Sequence, residues 1–391
     1  MLPEDPDKVA GRKKHLLIAS RDLPLNTGGI ASYQRQLGEE MVRSGDVSVG
    51  FLSAESSPGG TPPGLAGPCT GLDVLQDRKA WMRLASRPLL HPLLQKWIAA
   101  RFRRGFKTAA IPSTDVVHFV GTGWDFAGFG FYHFTRRQGA RFTVWPAVHP
   151  GEWGDDKIDL RLYRLADAVF CQSKFEANHL RQLGLEREKI VHCGLPPMCL
   201  PGRDGKAFRE QHGIGESPAV LFLGRRDEGK GYPALLGAWR HVLLLHPGAR
   251  LILSGPGGSE YETLRDSLPA GSVLDLGVAD EETKAGALAA CDVFCLPSAH
   301  ESFGIVFAEA WSYGKPVICG PAPASREWVR DGETGLHADQ NPAGIADAIQ
   351  RLLSDKHLSV LMGDAGRKFQ RSELTWEIIA KIHREAFRLG S

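Results

Sequence analysis

The chain is 391 residues long with an ordinary globular composition, enough for two domains that each bury a core. Lys and Arg outnumber Asp and Glu by only 47 to 45, so the total charge points neither to a nucleic-acid binder nor to a protein devoted to acidic substrates. Seven scattered cysteines without a C-x-x-C pair, several inside apolar runs, read as buried free thiols. Residues 1–14 lack the apolar stretch of a signal peptide, and no run of about 18 apolar residues occurs, so the expected location is the cytoplasm.

Short β-branched runs alternate with longer segments of helical periodicity, the pattern of parallel strands joined by crossover helices. The first set of predicted strands is His15–Ser20, Val47–Leu52, Val116–Gly121, Phe142–His149, Ala168–Ser173 and Lys189–Gly194. Between the second and third of these, Ser53–Gly71 is rich in Gly, Pro and Ser and reads as a long mobile loop. Leu195–Ser217, punctuated by Pro and Gly, reads as an interdomain linker. A second set of predicted strands follows: Ala219–Gly224, Arg250–Gly255, Val273–Gly277, Val293–Ser298, Pro316–Gly320 and Gly335–Asp339. Thr375–Leu389 alternates apolar and charged residues at helical spacing. The expected α/β architecture is therefore two doubly wound, Rossmann-like domains, residues 1–197 and 198–374, with a terminal helix over 375–391 free to pack back on the first.

The run from Val293 to Gly314 reads as an apolar strand, a loop AHES, and a helix closing at a glycine suited to the position after a helix end. A loop that leaves a strand end and feeds a helix N-terminus is where doubly wound folds bind ligands. Glu301 lies in that loop and Glu309 about one and a half turns into the helix, so both carboxylates can reach one cavity and accept hydrogen bonds from sugar hydroxyls. Each taken alone is equally readable as a solvated charge. In LFLGRRDEGKGY a strand delivers Arg225 at its end and Lys230 five residues later, cations suited to a diphosphate that gains charge as it departs. Arg226, pointing elsewhere, reads as a surface charge. In LILSGPGG, Gly255, Gly257 and Gly258 allow close backbone approach, but Glu260 breaks the G-x-G-x-x-G dinucleotide pattern.

With these residues in order, the chain resembles glycosyltransferase family 4, the retaining nucleotide-sugar glycosyltransferases of GT-B architecture, in which two Rossmann-like domains face each other across a cleft. The matching residues are G-R-x-x-x-x-K-G at Gly224–Gly231, the glycine loop at Gly255–Gly257, LGVADEETKAGALAACDVFCLPS at 276–298, E-x7-E at Glu301–Glu309 and DGETG at 331–335. The resemblance implies that Arg225 and Lys230 hold the donor diphosphate, that Glu301 contacts the transferred sugar and Glu309 the ribose, and that the backbone of Gly304, Ile305 and Val306 completes the site. Near 193 the sequence C-G-L-P-P departs from the family's usual Asn-Gly-Val-Asp, so contacts at that strand end do not transfer.

The first half of the chain matches more loosely. Gly28 and Gly29 precede a predicted helix and resemble the family's N-terminal glycine-rich loop; a plain Gly-Gly turn is the competing reading. His149 closes a predicted strand in FTVWPAVHPGEW, and the resemblance implies an active-site contact to the sugar. The stretch Arg78–Lys107 interleaves cations with Trp81, Leu94, Trp97, Ile98, Phe102 and Phe106, so a helix there either covers the domain's own sheet or docks peripherally on the inner face of an anionic membrane.

The expected reaction is transfer of a sugar from a nucleoside-diphosphate sugar, UDP or GDP being the expected nucleotides, to a hydroxyl of a glycan, lipid or small molecule. Retention is implied by the family, and with no evident protein nucleophile a front-face attack assisted by the leaving phosphate is expected. D-x-D occurs only at Asp5–Asp7, so no metal and no prosthetic cofactor is expected. The alternatives are a sugar-nucleotide epimerase of the same architecture and a non-enzymatic two-lobed sugar-binding protein. A glycoside hydrolase using Glu301 and Glu309 is disfavoured, because the neighbouring cations suit a phosphate leaving group.

Overall fold

A computed structural model describes residues 13–389 apart from 23, 25–28, 56–59, 62, 75–90, 110, 125 and 200. The chain divides into two compact units. The first comprises the described residues up to Cys171, Ala177–Cys193 and the chain from Ala380 on; the second comprises Gln172–Glu176 and Gly194–Ile379.

Among the described residues the first unit holds a seven-stranded parallel sheet. Its strands are β1 (Lys14–Ser20), β2 (Val47–Ser53), β3 (Cys69–Gly71), β4 (Val116–Val120), β5 (Arg141–Trp145), β6 (Ala168–Cys171) and β7 (Ile190–His192), in the order β3-β2-β1-β4-β5-β6-β7. β4 is buried at all five positions, as a central parallel strand covered on both faces must be. Phe102, Phe119, Phe126, Phe131 and Phe142 fill the core beside it. At the other face the Tyr33 hydroxyl lies between the Nε2 atoms of His118, at 3.0 Å, and His383, at 2.7 Å. His383 stacks on Phe170 with centroids 4.3 Å apart, and Arg384 pairs with Asp46, so the end of the helix Trp376–Phe387 is fixed to this unit by satisfied buried polar groups as well as by packing.

The second unit carries a six-stranded sheet of β8 (Ala219–Leu223), β9 (Arg250–Ser254), β10 (Val273–Asp275), β11 (Val293–Leu296), β12 (Val317–Cys319) and β13 (Gly335–His337), ordered β10-β9-β8-β11-β12-β13. All pairings are parallel. This is the dinucleotide-fold order, and it reverses direction between β8 and β11. Helices Tyr232–Leu245, Glu281–Ala290, Ile305–Ser312 and Pro342–Ser354 cover the sheet, with Trp239 and Trp311 buried beneath them.

Three sequence expectations change. The loop predicted over Ser53–Gly71 ends in the edge strand β3, which three residues among Gly and Pro are too few to announce. β5 stops at Trp145 rather than His149, because Pro146 offers no N–H and Ala147 turns the chain at φ +51°. The linker Leu195–Ser217 contains a helix, Gly205–Gln211, capped by Asp204 and anchored by buried Phe208, and it belongs to the second unit. All seven cysteines are buried free thiols.

Candidate functional site

β8 and β11 are hydrogen-bonded neighbours, with Val220 opposite Val293 and Leu221 opposite Phe294, and their chains leave the sheet in opposite directions. A crevice opens at the carboxyl ends of such strands. The two loops that border it, 224–231 after β8 and 297–304 after β11, are stitched together by backbone. Ala299 N donates to Gly229 O at 2.9 Å, and Ser298 Oγ donates to the same oxygen at 3.2 Å. Gly231, at φ +72°, lies so close to the Pro297 carbonyl that a Cβ would collide with it.

This contact places Lys230 against Glu301. Asp227 Oδ1 accepts from Lys230 N at 2.9 Å and closes the turn. The Lys230 ammonium then donates to Glu301 Oε1 at 2.6 Å and to His300 O at 3.1 Å. Both side chains are largely withdrawn from solvent, at 14% and 9% exposure, so the pair is worth more than a surface ion pair. An ammonium has three N–H donors, and two are used here. Arg225 is different: its side chain is 70% exposed, with Nε 3.2 Å from Asp227 Oδ2.

Three residues beyond Glu301, Gly304 sits at φ +84° and starts the helix Ile305–Ser312. The peptides of Gly304, Ile305 and Val306 form the positive end of that helix beside the Lys230–Glu301 pair. Glu309 is the fifth residue of the helix and is fully buried. Its Oε1 accepts from Lys284 Nζ at 2.7 Å, while Oε2 has no hydrogen-bond partner among the described residues. Burial pushes its carboxyl up, against the pull of the Lys284 ammonium. It is thus neither a solvated helix charge nor in contact with Glu301.

Arg226 corrects an expectation, since it is buried rather than a surface charge. It pairs through both terminal nitrogens with Asp275, which Arg265 also holds. Sequence alternation at a strand end could not reveal an acid 49 residues away. Gly255 stands at φ +139° with its hydrogen facing Gly224 O, where a Cβ would collide, so the close approach it permits is between two strand ends. Asp227, Lys284 and Ser298 are site-forming residues that the sequence reading missed. Asp227 was signalled by its D-x-x-x-G spacing, and Lys284 and Ser298 lie within the matching run 276–298 without being singled out there.

In the first unit Gly29 opens the helix Gly29–Arg43 and has open space at its missing Cβ; Gly28 lies outside the described residues. His149 sits in a tight turn, exchanging backbone hydrogen bonds with Trp153 at 3.0 and 3.1 Å. The Trp153 indole N–H points at His149 Nδ1, 2.5 Å away. The same nitrogen also lies 3.2 Å from Ala147 O, so the imidazole is held within the turn from both sides. Among the described residues no group of three His, Cys, Asp or Glu side chains converges as metal ligands would, and no helix is long and apolar enough to cross a membrane.

The family profile described as "Glycosyl transferases group 1" matches residues 204–369. The GDP-mannose-dependent alpha-(1-6)-phosphatidylinositol monomannoside mannosyltransferase of Mycolicibacterium smegmatis is 27% identical over 394 residues, covering 92% of this chain and 95% of that protein. The protein of the same name from Mycobacterium tuberculosis H37Rv is 34% identical over 190 residues, 44% of this chain; in that match the chain spans 48%, about half, of the relative. Sucrose-phosphate synthase from Thermosynechococcus elongatus superimposes with a TM-score of 0.75 at 22% identity, over 96% of this chain and 100% of that one. The second unit therefore carries a group 1 glycosyl transferase domain, and the chain is a glycosyltransferase family 4-like protein of GT-B architecture.

Proposed function

We propose that the chain is a retaining, metal-independent glycosyltransferase that moves a sugar from a nucleoside-diphosphate sugar to a hydroxyl acceptor on the cytoplasmic side. The observation that carries this reading is the Lys230–Glu301 pair at the strand-order switch point, next to the N-terminus of the helix Ile305–Ser312. A carboxylate held by an ammonium can accept from sugar hydroxyls without repelling the neighbouring diphosphate. The remaining Lys230 N–H, exposed Arg225 and the peptides of Gly304, Ile305 and Val306 supply donors for the phosphates, and charge gained by the leaving diphosphate strengthens each of these contacts. Glu309, through its second oxygen, is assigned to the ribose; Gly28, Gly29 and His149 are assigned to the reacting end of the donor. UDP and GDP are the donors we assign, GDP being favoured by the GDP-mannose dependence in the mycobacterial relatives' names, and the acceptor is a hydroxyl of a glycan, lipid or small molecule.

Thermal shift with GDP-, UDP-, ADP- and dTDP-sugars tests the donor, because a ligand that binds only the folded state raises its stability. One nucleotide should raise Tm, and Lys230→Met should reduce its affinity at least about tenfold, the loss of one charge-assisted contact, with Arg225→Ala giving a smaller loss. A chain that binds none of these donors, or a Lys230→Met variant with unchanged affinity, removes the assignment. Incubation with the donor alone separates transfer from epimerisation, since an epimerase makes an isomer without an acceptor.

A further inference from the structure

The helix His91–Thr108 carries Lys96, Arg101, Arg103, Arg104 and Lys107 and no acidic residue. The helix Ala127–Gln138, packed beside it, carries Arg136, Arg137 and His133 and again no acidic residue. Seven Lys and Arg without an acid on two neighbouring helices is a sharp segregation in a chain whose total charge is +2. Among the described residues Lys96, Arg103, Lys107, Arg136 and Arg137 make no ion pair with a carboxylate. None of these five charges is therefore neutralised by an acid among the described residues, although Arg103 Nε donates to Ala99 O at 3.3 Å. Arg136 and Arg137 complement the end of their own helix, and Lys107 the end of the other, but Lys96 and Arg103 lie a turn or more inside.

The same helix has two apolar stripes. Leu94, Ile98 and Phe102 are buried in the core of the unit, so that stripe covers the domain's own sheet. Leu93 and Trp97, one turn apart, face outward at 65% and 47% exposure, and the Arg101 guanidinium lies 4.9 Å from the Trp97 ring centre. Between the two helices a cavity of about 190 Å³ has Phe102, Phe106 and Phe134 among its walls, with Arg103, Lys107 and Arg137 beside them. Burial, and after it the Arg137 and Arg103 guanidiniums, hold His133 below its ordinary value.

We infer that the exposed cationic side of these helices, with the cavity between His91–Thr108 and Ala127–Gln138 along one edge and Leu93 and Trp97 along the other, docks on a bilayer containing anionic phospholipid. The cations take lipid phosphates, the aromatic walls take the adjoining glycerol and upper acyl carbons, and Leu93 and Trp97 enter the interface. An aromatic floor beside a cationic rim fits an amphiphile, whereas a free polyanion has no use for the floor. Each cation near an anionic leaflet contributes roughly a factor of five in binding, and an indole is favoured at the level of the headgroups. The surface stands on its own charges and exposures and does not depend on the donor-site assignment.

Sedimentation of the full chain with vesicles tests it. Vesicles of phosphatidylcholine with one third phosphatidylglycerol should bind the protein, phosphatidylcholine alone should not, and added salt should weaken binding. The triple variant R103Q/K107Q/R137Q should lose binding on the order of a hundredfold by the same per-charge factor. L93S/W97S should also lose binding while keeping the salt dependence. Circular dichroism checks that both variants fold. Equal binding to neutral vesicles, full binding by the triple variant, displacement from vesicles by millimolar glycerol phosphate, or tighter binding to RNA than to anionic vesicles would each overturn the inference.

Discussion

Lys284 Nζ lies 2.7 Å from Glu309 Oε1, and the carboxylate is fully buried while the ammonium keeps a fifth of its side chain in contact with solvent. Breaking a buried pair by removing one charge leaves the other uncompensated, a cost of about 3–5 kcal/mol when both are buried and less when one can turn to water. Glu309→Gln should therefore lower stability by roughly 1–3 kcal/mol, and adding Lys284→Met should recover part of it. Denaturant titration measures both. Nucleotide affinity, taken well below the transition, reads the ribose assignment separately: it should fall in Glu309→Gln, and normal affinity in the folded variant would leave Glu309 with a structural role alone.

Two glycines distinguish geometry from ligand contact. Gly255→Ala drives a Cβ into the Gly224 carbonyl at a φ that L residues rarely adopt, so it should cost several kcal/mol, roughly 3 or more, and separate the ends of β8 and β9. Gly29 has nothing near its missing Cβ, so Gly29→Ala should fold with wild-type Tm. Any loss of transfer in that variant then belongs to the reacting donor. A destabilised Gly29→Ala would make the glycine a structural turn residue.

The strands were legible because buried parallel strands are written as unbroken apolar runs, such as Val116–Val120 and Ala219–Leu223, that stop at turn residues. The short edge strand β3 was not, since its three residues are held by backbone pairing to Phe51, Leu52 and Ser53 rather than by side-chain pattern. The loop residues Lys230 and Glu301 were legible from their position after strands, but their mutual contact depends on β8 lying next to β11, a fact of strand order. Long-range partners were hidden for the same reason. Nothing local to Glu309 names Lys284, and nothing near Tyr33 names His383, 350 residues on.

Asp159 gives a pH prediction. Its carboxylate accepts from Gly123 N at 2.6 Å and Asp156 N at 3.2 Å, yet burial outweighs these bonds and pushes it up to about 6. The unfolded value is about 3.9, so between about pH 4 and 6 the folded state holds the extra proton. Stability from this group is greatest below that window and falls as pH rises through it, by up to about 3 kcal/mol for two units. Asp159→Asn should flatten that part of the Tm-against-pH curve, and an unchanged slope would show that Asp159 does not set it.

The remaining prediction concerns His149, whose Nδ1 lies between the Trp153 indole nitrogen at 2.5 Å and the Ala147 carbonyl at 3.2 Å, so that the ring is held in its turn. An imidazole held there suits a hydrogen bond to a sugar hydroxyl or ring oxygen, with the acceptor itself as the attacking group. Contacts realised mainly in the transition state lower turnover when lost, whereas ground-state contacts lower affinity. His149→Ala should thus reduce single-turnover transfer on the order of a hundredfold, as loss of one preorganised donor does, and leave the affinity for free nucleoside diphosphate within a few-fold. Trp153→Phe keeps the imidazole but removes its indole partner, so it should reduce transfer by less. Together these measurements separate three cases. Wild-type transfer by a folded His149→Ala variant removes the residue from the reaction, equal losses of transfer and affinity make it a support for the turn, and a selective loss of transfer places its imidazole at the reacting sugar.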